Sequence, residues 1–386
     1  MSDVTVIGWD GGLLPTPAME ALTSATLVLG RPDDLAAVER LAAAQAQRVV
    51  LDDLPTAVGR LAAHDGAAVV VAGGDPGFFG IVRTLRRAGL TPRVIPAVSA
   101  VARAFARLGL PWEDALVVAA HRGTLRRVVN ACRAHPVVAV LLGPDVRPAD
   151  LAEALRGLSR RLIAASDLDP AAARAGEREI ILVLSDQEQA PRPDRWLAGA
   201  DPGPAGWALT DAKFVHREPL ITRTEVRALV LAKLGPRLGD LVWEVGAGSG
   251  TVAVESARLG AAAIAVDRSP DACTDVAANA FGHGVDVQVV QGEAPEALAE
   301  LPDPDAVFVA GGGPAVFEAC LARRPARLVA VTDVVERVGP ALSALRAADY
   351  VAHGVHLQAN RLMPDPEGWH QLEPTAPVYV VWGERP

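Results

Sequence analysis

The chain has 386 residues, 50% of them apolar and 4% aromatic, with a formal net charge of −9; at roughly 100–200 residues per domain, this suffices for two or three domains with substantial cores. The acidic balance argues against a nucleic-acid platform, which needs a basic face, and with no run of about 18 uninterrupted apolar residues no membrane span is expected. Cys132, Cys273 and Cys320 form no CxxC pair and no metal-ligand spacing, so they read as buried free thiols with no metal site, and the lack of a basic-then-apolar leader makes the reducing cytoplasm the expected compartment.

Residues 1–186 alternate short β-branched runs with Ala/Leu/Arg segments of helical character. Strands are expected at Val4–Ile7, Ala68–Val71, Arg93–Ile95, Ala115–Ala119, Val137–Leu142 and Ile180–Leu184, and strands alternating with helices imply a largely α/β fold. Two of these strands exit into segments that can carry chemistry. Val70 leads into Ala-Gly-Gly-Asp-Pro-Gly-Phe-Phe-Gly80, which offers exposed backbone groups and one carboxylate, and Ile95-Pro-Ala-Val-Ser-Ala100 offers a small hydroxyl. Leu108-Gly-Leu-Pro-Trp-Glu-Asp114 follows. Each taken alone is as readily a plain turn. Residues 187–207 are rich in Pro, Gly and charge and read as a linker.

A second α/β pattern occupies 208–386. Thr222–Leu234 is expected to be a helix with Thr222 as N-cap and Glu225 at N3, a capping box. Strands are expected at Leu241–Val245, Ala263–Val266, Val287–Val290, Ala306–Val309 and Arg327–Val331, with a late one at Tyr379–Trp382. This regular repeat predicts a Rossmann-like sheet. No repeat relates the two halves, which predicts two different folds.

The strongest signal is Leu241-Val-Trp-Glu-Val-Gly-Ala-Gly-Ser-Gly-Thr251. A buried strand runs into Gly246, Gly248 and Gly250 and then a helix. Glycines there permit sharp turning and close approach of a ligand to the backbone, and the helix N-terminus offers free N–H groups. A dinucleotide fingerprint requires a third glycine where Thr251 stands. The GxGxG spacing therefore favours S-adenosylmethionine over a nicotinamide dinucleotide. Asp267, ending the next strand, suits two ribose hydroxyls but does not discriminate between these cofactors. Gly292, Glu293 and Ala294 follow the third strand, where such enzymes border the adenine. Pro304–Pro314 holds strand four and a bare glycine loop, without the Asn/Asp-Pro-Pro-Tyr element that grips an exocyclic amine.

Leu209-Thr-Asp-Ala-Lys-Phe-Val-His216, Leu220-Ile-Thr-Arg-Thr-Glu-Val-Arg227, the VGAGSG loop, GEAP and LPDPDAVFVAGGG, in this order, resemble the C-terminal domain of the precorrin-6Y C5,15-methyltransferase (decarboxylating) family over about residues 208–383. The first half, over about residues 2–186, resembles the tetrapyrrole methylase domain of the same family through GDP, the Pro96–Ser99 loop and LGLPW. The resemblance implies a two-lobed tetrapyrrole methylase fold followed by a Rossmann-like class I methyltransferase sheet. It implies S-adenosylmethionine as cofactor, a corrin precursor of cobalamin biosynthesis as substrate, methylation at C5 by the first domain and at C15 by the second, and decarboxylation of the C12 acetate. By the same resemblance Thr222 lies beside the cofactor of the second domain, and Gly74, Asp75, Phe78, Ser99 and Ala100 lie beside that of the first. A homo-oligomer is expected.

A polycarboxylate substrate on an acidic protein needs local cations. His216, Arg217, Arg223 and Arg227 are the first candidates, with Glu336, His353 and His356 for proton handling. His216, Arg223 and Glu336 are the residues expected to act in catalysis. Three positions depart from the family pattern: Asp10 stands where a glycine is usual, His121-Arg122-Gly123 replaces His-Gly-Arg, and Val331–Glu336 keeps only the glutamate of its segment. The alternative function is S-adenosylmethionine-dependent methylation of another small molecule, with one domain degenerate.

Overall fold

The computed structural model describes residues 3–51, 53–168, 179–186, 198–199, 203–217 and 221–386. The described residues fall in two compact units, one within 1–125, 137–186 and 198–200 and the other within 126–136 and 201–386. The segment 126–136 thus groups with the second unit and interrupts the first. Most of the expected linker lies outside the described residues.

The first unit carries strands β1 (Asp3–Trp9), β2 (Leu27–Gly30), β3 (Gln47–Val50), β4 (Ala67–Gly73) and β5 (Arg93–Ile95) in a sheet of order β3-β2-β4-β1-β5. All its pairings are parallel. Alternate residues point to opposite faces, and both faces are buried: Val4, Val6, Leu29 and Val70 pack on one side, Ile7, Val28, Val69 and Val71 on the other. A second sheet, β6 (Leu116–Ala120), β7 (Val137–Leu142), β8 (Arg160–Ala164) and β9 (Ile180–Ser185), has order β6-β7-β9-β8. Its Ala139, Leu141, Ile180 and Leu182 pack against Val101 and Phe105 of the helix Ala100–Leu108. Strands β2, β3 and β8 escape the sequence reading. The first two have only four residues each, too few for a period to show.

The second unit carries β10 (Leu241–Val245), β11 (Ala262–Asp267), β12 (Val287–Gln291), β13 (Ala306–Val309), β14 (Arg327–Thr332), β15 (Val351–Leu357), a hairpin of β16 (Asn360–Pro364) and β17 (His370–Pro374), and β18 (Val378–Glu384). Seven of these form one sheet of order β12-β11-β10-β13-β14-β18-β15, and the hairpin stands as a sheet of its own. Strands β10 to β14 pair in parallel, and β18 runs antiparallel to both of its neighbours. Strand order reverses between β10 and β13, so the loops leaving these two strands open a crevice where ligands of such sheets bind.

The expected capping box is absent. The helix runs Thr224–Leu234, with Arg223 at the N-cap and no side-chain cap from it. Asp211 substitutes from outside the helix, accepting from the Thr224 amide at 3.0 Å and its hydroxyl at 2.9 Å. Glu225, freed from capping, pairs with Arg361.

Candidate functional site

At the end of β10 the chain turns through Gly246, Gly248 and Gly250 at φ of 76°, 54° and 70°, the left-handed region that side chains avoid. A Cβ on Gly246 would lie 3.0 Å from the Gly311 amide nitrogen, and one on Gly250 would lie 2.7 Å from Val276. The bend is pinned to the end of β11. Gly246 and Ala247 donate to the Val266 carbonyl at 2.9 and 3.1 Å. Asp267 accepts from the Gly248 amide at 2.8 Å through Oδ2 and from the Ser269 amide at 2.9 Å through Oδ1. Gly292 donates to the Asp267 carbonyl at 2.9 Å, which brings the Gly292–Ala294 turn to the same strand end; Glu293 there pairs with Arg268 at 3.3 Å on the surface.

Beneath the bend lie polar groups that helix and loop leave unmatched. Glu244 is fully buried and accepts from the Ala253 amide at 2.7 Å through Oε2. Among the described residues, its Oε1, Ser249 Oγ and Thr251 Oγ1 have no hydrogen-bond partner. Burial pushes the Glu244 carboxyl up to about 8, against the backbone hydrogen bonds that favour its charge. Asn279, unremarked in the sequence, donates to the carbonyls of Ser249 and Val215, each at 2.8 Å, and accepts from the Val215 amide at 2.7 Å. It thereby holds the glycine bend against the segment that carries His216.

A cleft of about 700 Å³ opens beside the bend, meeting it at Gly311. Thr222, Arg223 and Glu336 line it together, with Phe308 and Val331 as apolar wall. Arg337, also missed in the sequence, lines it too, and among the described residues neither Arg223 nor Arg337 has a carboxylate partner.

Other expected residues are placed elsewhere. His216 is not among the residues lining this cleft, and its Nδ1 lies 3.0 Å from the Phe214 carbonyl. Arg227 is 0% exposed, pairs with Glu255 at 2.9 Å and lies over the Phe214 ring, so it is an internal brace and no contact for substrate. Arg217 is neutralised by Asp271 and Asp275. His353 and His356 stand on β15, against Trp382 and Tyr379 respectively, outside the cleft. These placements have one cause: charge spacing along the chain does not reveal which carboxylate or ring the fold sets opposite.

In the first unit a pocket of about 340 Å³ gathers Gly74, Asp75, Phe78, Ser99 and Ala100. Asp75 accepts from the Gly77 amide at 2.8 Å, and Ser99 caps the helix Ala100–Leu108 by accepting from the Ala102 amide at 3.1 Å. Gly8 is required beside it, since a Cβ there would lie 2.6 Å from Ala97 N and 2.7 Å from Gly74 O. Asp10 closes its own loop: its Oδ1 accepts from the Gly12 amide at 3.0 Å, and Trp9 Nε1 donates to the Gly12 carbonyl at 2.9 Å. His121 lies 3.6 Å from Asp145. Arg31 and buried Asp34, paired at 2.9 Å, also line the pocket.

Family models match both halves. Residues 7–177 match the tetrapyrrole (corrin/porphyrin) methylases, and residues 212–378 match the precorrin methyltransferase domain. The chain is 35% identical over 288 residues to a precorrin-6Y C5,15-methyltransferase (decarboxylating) from a Sinorhizobium species, spanning 68% of this chain and 67% of that one. It is 33% identical over 362 residues to the Mycobacterium tuberculosis CDC 1551 protein of that name, spanning 86% and 87%. The chain belongs to the precorrin-6Y C5,15-methyltransferase (decarboxylating) family. A further relative, a probable cobalt-precorrin-6B C15-methyltransferase (decarboxylating) from Pyrobaculum calidifontis, is 40% identical over 149 residues, which is 36% of this chain and 73% of that one.

Membership in this family makes the chain a methyltransferase with two different domains. Among the described residues no three His, Cys, Asp or Glu side chains gather as metal ligands, and no helix is long and apolar enough to cross a membrane.

Proposed function

We propose that the chain is a bifunctional, S-adenosylmethionine-dependent enzyme of cobalamin biosynthesis. The second unit methylates C15 of a corrin precursor and releases the C12 acetate carboxyl as carbon dioxide. The first unit methylates C5. The observation that carries this reading is the continuity of the Asp267-pinned glycine bend with the cleft at Gly311. Gly311, which packs against Gly246, lines the cleft proposed to take the acceptor.

The residues present suit the cofactor. The left-handed turns at Gly246, Gly248 and Gly250 hold the bend in a shape that a nucleoside can lie against. Asp267 keeps lone pairs for ribose hydroxyls after accepting its two amides. Gly292–Ala294 sit where the adenine edge would lie, and Thr222 stands on the acceptor side. In the first unit Gly74, Asp75, Phe78, Ser99 and Ala100 form the corresponding site. Bound S-adenosylmethionine supplies an electrophilic methyl group.

The chain's own part is placement. The glycine bend and the apolar wall of Phe308 and Val331 orient the reacting centres and exclude water, and such positioning contributes about 7–11 kcal/mol. Arg223 and Arg337 hold acceptor carboxylates by charge-assisted hydrogen bonds. Glu336, exposed at the rim, is the group assigned to proton transfer, while the conjugated macrocycle accepts the electrons released by decarboxylation.

The full chain is to be incubated with S-adenosylmethionine and precorrin-6B and the product weighed. Gain of two methyl groups with loss of one carbon dioxide is expected. A product with one methyl identifies the working unit, and an unchanged substrate overturns the reading.

A further inference from the structure

Arg361 stands on β16, in the hairpin that pairs with no strand of the large sheet. The hairpin buries little apolar surface of its own: Leu362, Trp369 and Leu372 are all largely exposed. Among the described residues, its side-chain hydrogen bonds to the rest of the unit all come from Arg361. Nη2 donates to Asp211 Oδ2 at 2.8 Å and to Glu225 Oε2 at 3.2 Å, and Nε donates to Glu225 Oε1 at 3.2 Å. The Glu225 contact is a two-point fork that a flexible ammonium cannot reproduce.

Both ends of this tie belong to the cleft. The residues flanking the hairpin, Ala359 and Thr375, line it, as do Thr222, Arg223 and Glu225. Asp211 also accepts from Thr224 and lies 3.6 Å from Arg227, whose guanidinium donates to the Thr222 carbonyl. One guanidinium thus fastens the base of an otherwise loosely held hairpin to the segment bearing Thr222 and Arg223.

We propose that Arg361 is a positioning residue: it clamps the hairpin base to residues 222–225 and so sets the width of the acceptor cleft. The inference rests on that cleft being the acceptor site. The acceptor class it implies is a large planar macrocycle, whose fit depends on the separation of two walls. Arg361 touches neither cofactor nor reacting atoms.

The test uses the full chain carrying Arg361→Gln and Arg361→Lys. For Arg361→Gln, KM for precorrin-6B rises about fivefold, the loss of a partly screened ion pair, with kcat and the affinity for S-adenosylhomocysteine within about twofold of the parent. Arg361→Lys, keeping one charge contact, recovers part of the loss. Hydrogen exchange speeds up at residues 359–361, 375–376 and 222–225 in Arg361→Gln without any substrate. Unchanged exchange at both walls overturns the clamp. So does a KM restored in the double variant Glu225→Gln with Arg361→Gln, which would mean that charge cancellation alone matters. If the parent enzyme fails to methylate precorrin-6B, the functional reading falls, and the exchange result still decides whether the clamp exists.

Discussion

Asp267 Oδ2 accepts the Gly248 amide at 2.8 Å, so the carboxylate at the end of β11 holds the glycine bend before any ligand arrives. Its other oxygen is engaged by Ser269. Asp267→Asn would turn one acceptor into a donor facing an N–H. Hydrogen bonds to charged groups contribute about 1.5–3 kcal/mol, so S-adenosylhomocysteine affinity should fall roughly tenfold to a hundredfold. Calorimetry on the full chain reads this directly, and an unchanged dissociation constant would remove Asp267 from the site.

Glu244 gives the fold a dependence on alkali. Its carboxyl is raised by burial from 4.5 to about 8, so the folded chain keeps a proton that the unfolded chain releases. Stability from this group is complete below the ordinary carboxylate range and is lost as pH rises toward about 8. Glu244→Gln, neutral throughout, should show a flatter fall in denaturant midpoint over that window. Parallel curves for the two proteins would contradict the assignment.

Arg223 and Arg337 line the cleft, and among the described residues neither forms an ion pair. Arg223→Gln and Arg337→Gln should each raise KM for the corrin precursor about tenfold, the loss of one charge-assisted contact. Affinity for S-adenosylhomocysteine should hold. Steady-state kinetics beside calorimetry separates the two, and a matching loss of cofactor affinity would sink the acceptor role.

Arg227 should behave oppositely. It is wholly buried against Glu255, and removing one partner of such a pair costs about 3–5 kcal/mol. Arg227→Met is therefore expected to lower the urea midpoint, and an unchanged midpoint would contradict the brace.

Gly8→Ala tests the first unit. A Cβ at Gly8 meets Ala97 N at 2.6 Å and Gly74 O at 2.7 Å, and backbone offers no room to yield. The variant should stop at a product carrying one methyl group and lacking one carboxyl. A doubly methylated product would show that this pocket is not the C5 site.

Much of this was legible before folding because the relevant residues are neighbours in the chain. A strand, three alternate glycines and a helix start occupy Leu241–Thr251, and the ordered motifs of each half name the family without any contact map. Steric need is local too: a left-handed turn demands glycine wherever the fold goes. The partner that each polar side chain meets was not legible in this way. Arg227 meets Glu255 across 28 positions, Asn279 meets Val215 across 64, and Arg361 meets Asp211 across 150. Whether a guanidinium serves a substrate or a buried carboxylate depends on what the folded chain sets within about 4 Å of it, and sequence spacing carries no such distance. Tertiary structure alone decided that Arg227 braces the interior, that Arg223 and Arg337 face the cleft, and that Arg361 fastens the hairpin.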